Sequence, residues 1–218
     1  MDVRMPITKA KIKNHFQYSL WKYLVLVAVS VLLWNFLFTI TRYRTPGTLK
    51  VEFFADGYSD ADADAAMDSL LHTIHMEALP EMEEITYSRL VIDSVYGDMQ
   101  LMVWAGAGQG DVYLLFQDRF TNLAKGSAML DLQPFIDQKL LHTEGMDLRR
   151  GKIRNDETGQ MIQYGIPADS LAGLAPCGGA TEGAMLSVLA ASGNKANALR
   201  FLDYLLTHLL EDEPAESN

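Results

Sequence analysis

The stretch of this 218-residue chain that best indicates its fold is Gly110–Gly126, GDVYLLFQDRFTNLAKG. A turn that contains Gly110 and Asp111 leads into five apolar residues, Val112–Phe116, and then directly into an amphipathic helical pattern. An uninterrupted apolar strand is typical of the centre of a parallel sheet that is buried on both faces. The stretch therefore predicts a central strand followed by a short helix that ends at Gly126.

Strand and helix patterns alternate on both sides of this stretch, which indicates βαβ units and a mostly parallel sheet with helices on both faces. The fold class predicted is α/β, with one three-layer lobe preceded by a single transmembrane helix. Residues 130–137 predict an extended segment and a short helix, and residues 148–160 predict an exposed hairpin or loop. The main predicted elements are strand 49–56, helix 61–79, strand 84–94, helix 98–107, strand 110–116, helix 117–126, strand 161–167, strand 184–192 and helix 194–210.

The segment Tyr23–Thr41 carries no charge and is long enough to cross a bilayer as one helix. A buried helix of a soluble core and a cleavable signal peptide are the alternatives, but the segment is long for the latter and no A-x-A site follows it. Lys and Arg are more numerous before the segment than after it, which favours a cytoplasmic N-terminus and an extracellular C-terminal domain. These side chains are Arg4, Lys9, Lys11, Lys13 and Lys22 before it, and Arg42, Arg44 and Lys50 after it.

This segment divides the chain into five predicted parts. They are a cytoplasmic tail (1–22), a transmembrane helix that contacts the lipid bilayer (23–41), a linker (42–47), an extracytoplasmic lobe (48–210) and a disordered tail (211–218). Residues 47–218 hold 11 Lys and Arg against 27 Asp and Glu, which gives a net charge of −16. A domain this acidic is repelled by nucleic acid, so no nucleic-acid partner is expected. The single cysteine, Cys177, excludes an internal disulfide.

Two clusters have the residue types of a metal site. Asp60, Asp62 and Asp64 have the spacing of a calcium loop, but an EF-hand would need glycine at Ala65 and a bidentate acid at Leu71. Acids in the first turn of a helix, where its dipole favours them, explain the run without a metal.

The second cluster is His72 and His75, which share a predicted helix face with Asp68, and a solvated helix surface is the preferred interpretation there. The glycines of AGAGQGD lack the pattern of a phosphate-binding loop, and no nucleophile elbow is present. We therefore expect no metal, no cofactor and no enzymatic activity.

Several phrases of the sequence together resemble extracellular solute-binding proteins of ABC importers. The segment Gly108–Ile136 is similar to that family's turn, buried strand, helix and following phrase, although Gly110 stands where proline is usual. Tyr164–Ser170 (YGIPADS) and Ala191–Leu206 (ASGNKANALRFLDYLL) resemble two later family phrases, in the same order. The resemblance implies an extracytoplasmic α/β lobe that takes part in transport.

The resemblance also implies a second lobe, which closes on the first about a hinge and encloses the ligand. Here only 16 residues, Ala168–Gly183, separate the YGIP phrase from the closing strand, whereas a lobe needs at least about 50 residues. We therefore expect a single-lobe, membrane-anchored variant.

Two functions follow as hypotheses. The first is a docking or accessory module that contacts a membrane partner, such as an ABC transporter, or a second copy of itself. The alternative is a direct small-solute binder that uses the carboxyl ends of its strands, where open α/β sheets place ligands. The residues predicted to bind a ligand are Asp56, Tyr58, Gln117, Asp118, Arg119 and Asp169.

Overall fold

The computed structural model describes residues 9–90 and 95–210, and the chain divides into two compact units, Met1–Arg44 and Thr45–Asn218. The first unit is helix α1 (Lys9–Thr41). Its part Leu20–Thr41 has a mean hydropathy of 2.3 and is long and apolar enough to cross a membrane. The predicted span lies within this part, whereas the predicted C-terminal tail lies outside the described residues.

Within the described residues, the second unit contains five α-helices and seven strands, together with three short 3-10 helices. The helices are α2 (Ala61–Glu77), α3 (Val95–Gly106), α4 (Gln117–Lys125), α5 (Gln133–Asp137) and α6 (Lys195–His208). The strands are β1 (Lys50–Asp56), β2 (Glu84–Leu90), β3 (Val112–Phe116), β4 (Lys152–Arg154), β5 (Met161–Gln163), β6 (Ile166–Pro167) and β7 (Ala184–Val188).

Five of these strands form one sheet in the order β2-β1-β3-β7-β6. Strand β1 pairs in parallel with β2 and β3, whereas β7 is antiparallel to both of its neighbours. Strands β1, β2, β3 and β6 therefore end at the same edge, called here the carboxyl edge, and the opposite edge is the amino edge. The prediction of a mostly parallel α/β sheet is confirmed, with β7 as its exception.

Side chains of β3 alternate between two apolar layers, as the period of a strand requires. Val112 and Leu114 pack in the layer that holds α2 and α6, and Tyr113 and Leu115 pack in the layer that holds α3 and α4. All four are fully buried. Helices thus cover both faces of the sheet, and β3 is its central strand, as predicted.

The structure changes several predicted bounds. Strand β2 ends at Leu90, whereas the predicted strand 84–94 extends into residues 91–94, which the structure does not describe. Helix α3 begins at Val95, before the predicted start at residue 98. The predicted strand Met161–Pro167 is two short strands, β5 and β6, which belong to different sheets. The break lies at Gly165, where an added Cβ would come within 2.7 Å of the Phe120 ring. Strand β5 instead pairs with β4 in a hairpin, which extends past the predicted hairpin or loop at 148–160 into the predicted strand.

Candidate functional site

All six predicted ligand-binding residues lie at the carboxyl edge, at or just after the ends of β1, β3 and β6. Asp56 ends β1, Gln117 follows β3 directly, and Asp169 follows β6 after one residue. Strand β7 begins at the same edge, because Ala184 pairs with Phe116. The structure thus brings the predicted residues to one edge of the sheet, where five of them lie in three separate groups and Asp118 stands apart as an exposed side chain.

The first group is centred on Asp56, which is fully buried. Its Oδ2 accepts a hydrogen bond of 2.9 Å from the backbone N–H of Phe116, and its Oδ1 is paired with Nη1 of Arg119. The Nε of Arg119 lies 2.6 Å from Oδ1 of Asp98 in the first turn of α3. Burial raises the pKa of Asp56, and both the Phe116 N–H and the Arg119 charge oppose this rise. Asp56 and Arg119 therefore form a structural pair inside the edge.

The second group is centred on Arg150, which the sequence placed only in an exposed loop. Its Nε lies 3.3 Å from Oε1 of Gln117, and its Nη1 lies 2.8 Å from Oδ2 of Asp169. The other carboxylate oxygen of Asp169 accepts a 3.0 Å hydrogen bond from the backbone N–H of Gly183. Partial burial favours a higher pKa for Asp169, but the Gly183 N–H and the Arg150 charge outweigh it and lower the pKa.

The third group lies beside Tyr58. The carbonyl oxygen of Gly178 accepts hydrogen bonds from the Tyr58 backbone N–H at 3.0 Å and from Nη1 of Arg89 at 3.4 Å. The other guanidinium nitrogen of Arg89 lies 2.8 Å from Oδ1 of Asp64. The Tyr58 side chain is exposed, as is Asp118. The structure joins neither Tyr58 nor Asp118 to the first two groups.

An open cleft of about 880 Å³ adjoins the second group. Its volume is within the range of small-molecule sites, about 300 to 1,000 Å³. Arg150 and Asp169 form part of its wall, so their ion pair borders the cleft. The lining residues are Glu144, Gly145, Met146, Asp147, Arg150, Pro167, Asp169, Ser170, Thr207, His208 and Leu210.

Helix α3 presents large apolar side chains to solvent next to the first group. Its inward face places Leu101 and Ala105 in the apolar layer above β3. Its outward face follows the spacing i, i+3, i+7 through Tyr96, Met99 and Val103. The exposed fractions are 82% for Tyr96, 62% for Met99, 56% for Met102 and 67% for Val103. A patch of this kind on a soluble domain is typical of an interaction surface.

One member of each metal-like cluster on or next to α2 makes a structural contact. The Nε2 of His75 lies 2.8 Å from the carbonyl oxygen of Met82. Asp60 caps the helix by accepting a 2.8 Å hydrogen bond from the backbone N–H of Ala63. Within residues 9–90 and 95–210, no group of three His, Cys, Asp or Glu is placed to hold a metal ion.

The sequence missed Asp98 and Arg150, which organise the first two groups. Asp98 is 21 positions from Arg119, and Arg150 is 33 positions from Gln117. The sequence indicated that Gln117 and Arg119 follow a central strand, but no local pattern indicated which loops fold over them. Arg150 lies in residues 148–160, which the sequence predicts only as an exposed hairpin or loop.

Comparisons with known proteins give partial likenesses only. No protein-family model and no curated protein matches the chain. A family 1 extracellular solute-binding protein from Alicyclobacillus acidocaldarius shares 17% identity at a TM-score of 0.41, over 58% of this chain and 29% of that one. The N-glycan transport solute binding protein (NgtS) from Streptococcus pneumoniae, in complex with Man5GlcNAc, shares 13% identity at a TM-score of 0.40, over 56% and 25%.

The binding protein AttC from Agrobacterium tumefaciens C58, in an open unliganded conformation, is covered more fully. It shares 12% identity at a TM-score of 0.41, over 72% of this chain and 79% of that one. By contrast, the chain spans less than a third of the first two proteins. At these identities and TM-scores, membership of the solute-binding family stays a prediction.

Proposed function

We propose that this chain is a membrane-anchored extracytoplasmic module, similar to a lobe of a solute-binding protein, which acts as a docking or accessory protein. The partner class that the sequence resemblance suggests is the membrane subunit of an ABC importer. Helix α1 would hold the module at the membrane, with the N-terminus in the cytoplasm and residues 48–210 outside. The observation that supports docking most directly is the exposed apolar face of α3.

The α3 face has the chemistry of a protein contact. Fully burying a large apolar side chain stabilises a complex by about 1.5 to 3 kcal/mol, so Tyr96, Met99 and Val103 together offer a substantial driving force. These side chains stand beside Asp98 and Arg119 at the carboxyl edge, where the resemblance implies that a second lobe would meet the first. A partner protein on this face would remove the patch from water.

The charged groups of the carboxyl edge favour docking over solute binding. Arg89, Arg119 and Arg150 are each paired with an aspartate of the same unit. A solute that used one of these arginines would first have to displace its carboxylate. For the fully buried Asp56, such displacement would leave a carboxylate in an apolar environment without its counter-charge, which is costly. The Asp56–Arg119 pair, called here the inner pair, is therefore not available to bind a solute.

Site-specific photo-crosslinking in native membranes tests the docking proposal. A photoreactive residue at Met99 should capture an ABC-importer membrane subunit, identified by mass spectrometry. The matched control is Met76, a methionine on α2 with a similar exposed fraction of 64%. Equal capture at both positions, or no capture of a membrane subunit at Met99, would reject docking through α3.

A second candidate function is direct binding of a small solute, which the cleft beside Arg150 and Asp169 favours. Both side chains of this pair are 42% exposed, so a ligand could replace one partner at low cost. A solute at 100 times its Kd would stabilise the fold by about 2.7 kcal/mol. A thermal-shift screen of the full chain with sugars, peptides, amino acids and metal ions would detect it. Loss of the shift in Arg150→Ala would locate the site.

A further inference from the structure

Residues 24–41 of α1 contain four Ser, Thr or Asn side chains, of which three satisfy their hydroxyl groups within the helix. Ser30 donates to the carbonyl oxygen of Leu26 at 2.8 Å, and Thr41 donates to that of Leu37 at 2.7 Å. Thr39 likewise donates to the backbone carbonyl of Asn35 at 2.8 Å. The fourth polar group is the side-chain amide of Asn35, which makes no hydrogen bond with any of the described residues.

The depth of Asn35 makes this amide costly, provided that the segment spans the membrane as proposed above. Leu20–Thr41 is 22 residues long, so at 1.5 Å per residue it measures about 33 Å. Asn35 lies about 7 Å from the midpoint of this length, whereas the hydrocarbon core extends about 15 Å to each side. An amide at that depth has neither water nor an intrahelical acceptor. It therefore needs a partner from another helix.

The helix face around Asn35 is suited to close packing against a second helix. At about 100° per residue, Ala28, Leu32, Asn35 and Thr39 lie within an arc of about 60°. Their spacing of four, three and four is the repeat along which two helices cross at about +20°. Ala28 has a small side chain, which allows the two backbones to approach closely.

A second copy of this chain is the partner that the chemistry favours. A carboxamide is both donor and acceptor, so two Asn35 side chains can complete each other's hydrogen bonds. Two copies inserted in the same orientation place these amides at the same depth by symmetry. Residues 23–41 carry no charge that could recognise an ionised side chain in a different helix. We propose that α1 self-associates in the membrane through the Asn35 face.

The experiment uses the full chain, labelled with donor and acceptor fluorophores at its C-terminus and reconstituted in phosphatidylcholine vesicles. Energy transfer is measured over a dilution series in lipid, which gives an apparent dissociation constant. An interhelical hydrogen bond in a membrane contributes about 1 to 2 kcal/mol in model helices, so Asn35→Leu should weaken association roughly 5-fold to 30-fold. Asn35→Gln retains the amide and should restore most of the association.

The matched control is Ser30→Leu, which removes a polar group from the opposite side of the helix and should leave association unchanged. Absence of energy transfer in the wild type, or equal association of wild type and Asn35→Leu, would overturn self-association. Washing the vesicles at alkaline pH distinguishes a lack of self-association from failure of the membrane anchor. A chain that stays in the vesicles but does not associate overturns this inference alone. A chain that is released overturns the anchor and the inference together.

Discussion

The two edges of the sheet use similar polar residues in different ways. At the amino edge, Asp111 accepts hydrogen bonds from the Glu52 backbone N–H at 2.8 Å and from the Ser192 hydroxyl at 2.6 Å. Ser192 in turn accepts from the backbone N–H of Asn194, whose side chain donates to the carbonyl of Lys50. Asp111, Ser192 and Asn194 are all buried. This network connects the starts of β1, β3 and α6.

At the carboxyl edge, ion pairs join side chains of different elements, in addition to backbone hydrogen bonds, and the burial of these pairs varies. Asp56 is fully buried beside Arg119, whereas Arg150 and Asp169 are half exposed at the cleft. A conspicuous motif is therefore not by itself evidence of a binding site. Asp111 and Asn194, which belong to the phrases that suggested a solute-binding protein, hold the fold together at the edge opposite the candidate site.

The largest expected effect is on the inner pair of the carboxyl edge. Arg119→Ala leaves the buried Asp56 without its counter-charge, so the free energy of unfolding should fall by about 3 to 5 kcal/mol. Thermal unfolding of the full chain, followed by circular dichroism in detergent, measures this. Asp118→Ala, at the exposed neighbouring position, should change it by less than about 0.5 kcal/mol. Equal effects would mean that Asp56 is not buried as described.

A somewhat smaller loss is expected at the amino edge. Asp111→Ala removes the acceptor of both the Glu52 N–H and the Ser192 hydroxyl, and the fold should lose about 2 to 3 kcal/mol. Ser192→Ala removes one of these two bonds and should cost less. Unfolding by urea in detergent compares the two variants. If Ser192→Ala were the more damaging change, Asp111 would not be the centre of the network.

The two edge aspartates should respond to acid with opposite signs. The pKa of Asp56 is raised above its ordinary value of 3.8, so its contribution to stability should increase as the pH falls toward 3.8. The pKa of Asp169 is lowered, so its contribution is present above pH 3.8 and should be lost as the pH falls below that value. Unfolding free energies of wild type, Asp56→Asn and Asp169→Asn over a pH series test this. The same sign for both would contradict the assigned environments.

The smallest effect on stability is expected for the outer pair. Arg150→Ala removes a half-exposed ion pair, which contributes at most about 1 kcal/mol. The melting temperature should therefore stay close to that of the wild type, which makes this variant a clean probe of the cleft. A loss as large as that of Arg119→Ala would show that the Arg150 pair is structural too.

The sequence predicted the α/β fold because strand and helix periods are local, and Val112–Phe116 identified the central strand. It also located Asp56, Gln117 and Arg119 at the carboxyl ends of strands, because residues that follow a strand can be located from the strand itself, and their role in ligand binding stays a prediction. It could not predict that Asp98 and Arg150 fold over them, since those contacts depend on the paths of distant loops. The exposed face of α3 could not be predicted either, because which side of this apolar helix faces solvent depends on which side packs against the sheet.

We propose that the exposed face of α3, rather than the cleft, is the surface that contacts the partner protein. This proposal is tested by quantifying an ABC-importer membrane subunit that co-purifies with full-length wild type, Met99→Asp and Arg150→Ala from native membranes. A charge in the apolar contact should reduce co-purification more than about 10-fold, which corresponds to 1.4 kcal/mol or more. We expect this loss for Met99→Asp and none for Arg150→Ala. Loss in Arg150→Ala with Met99→Asp unaffected would contradict it.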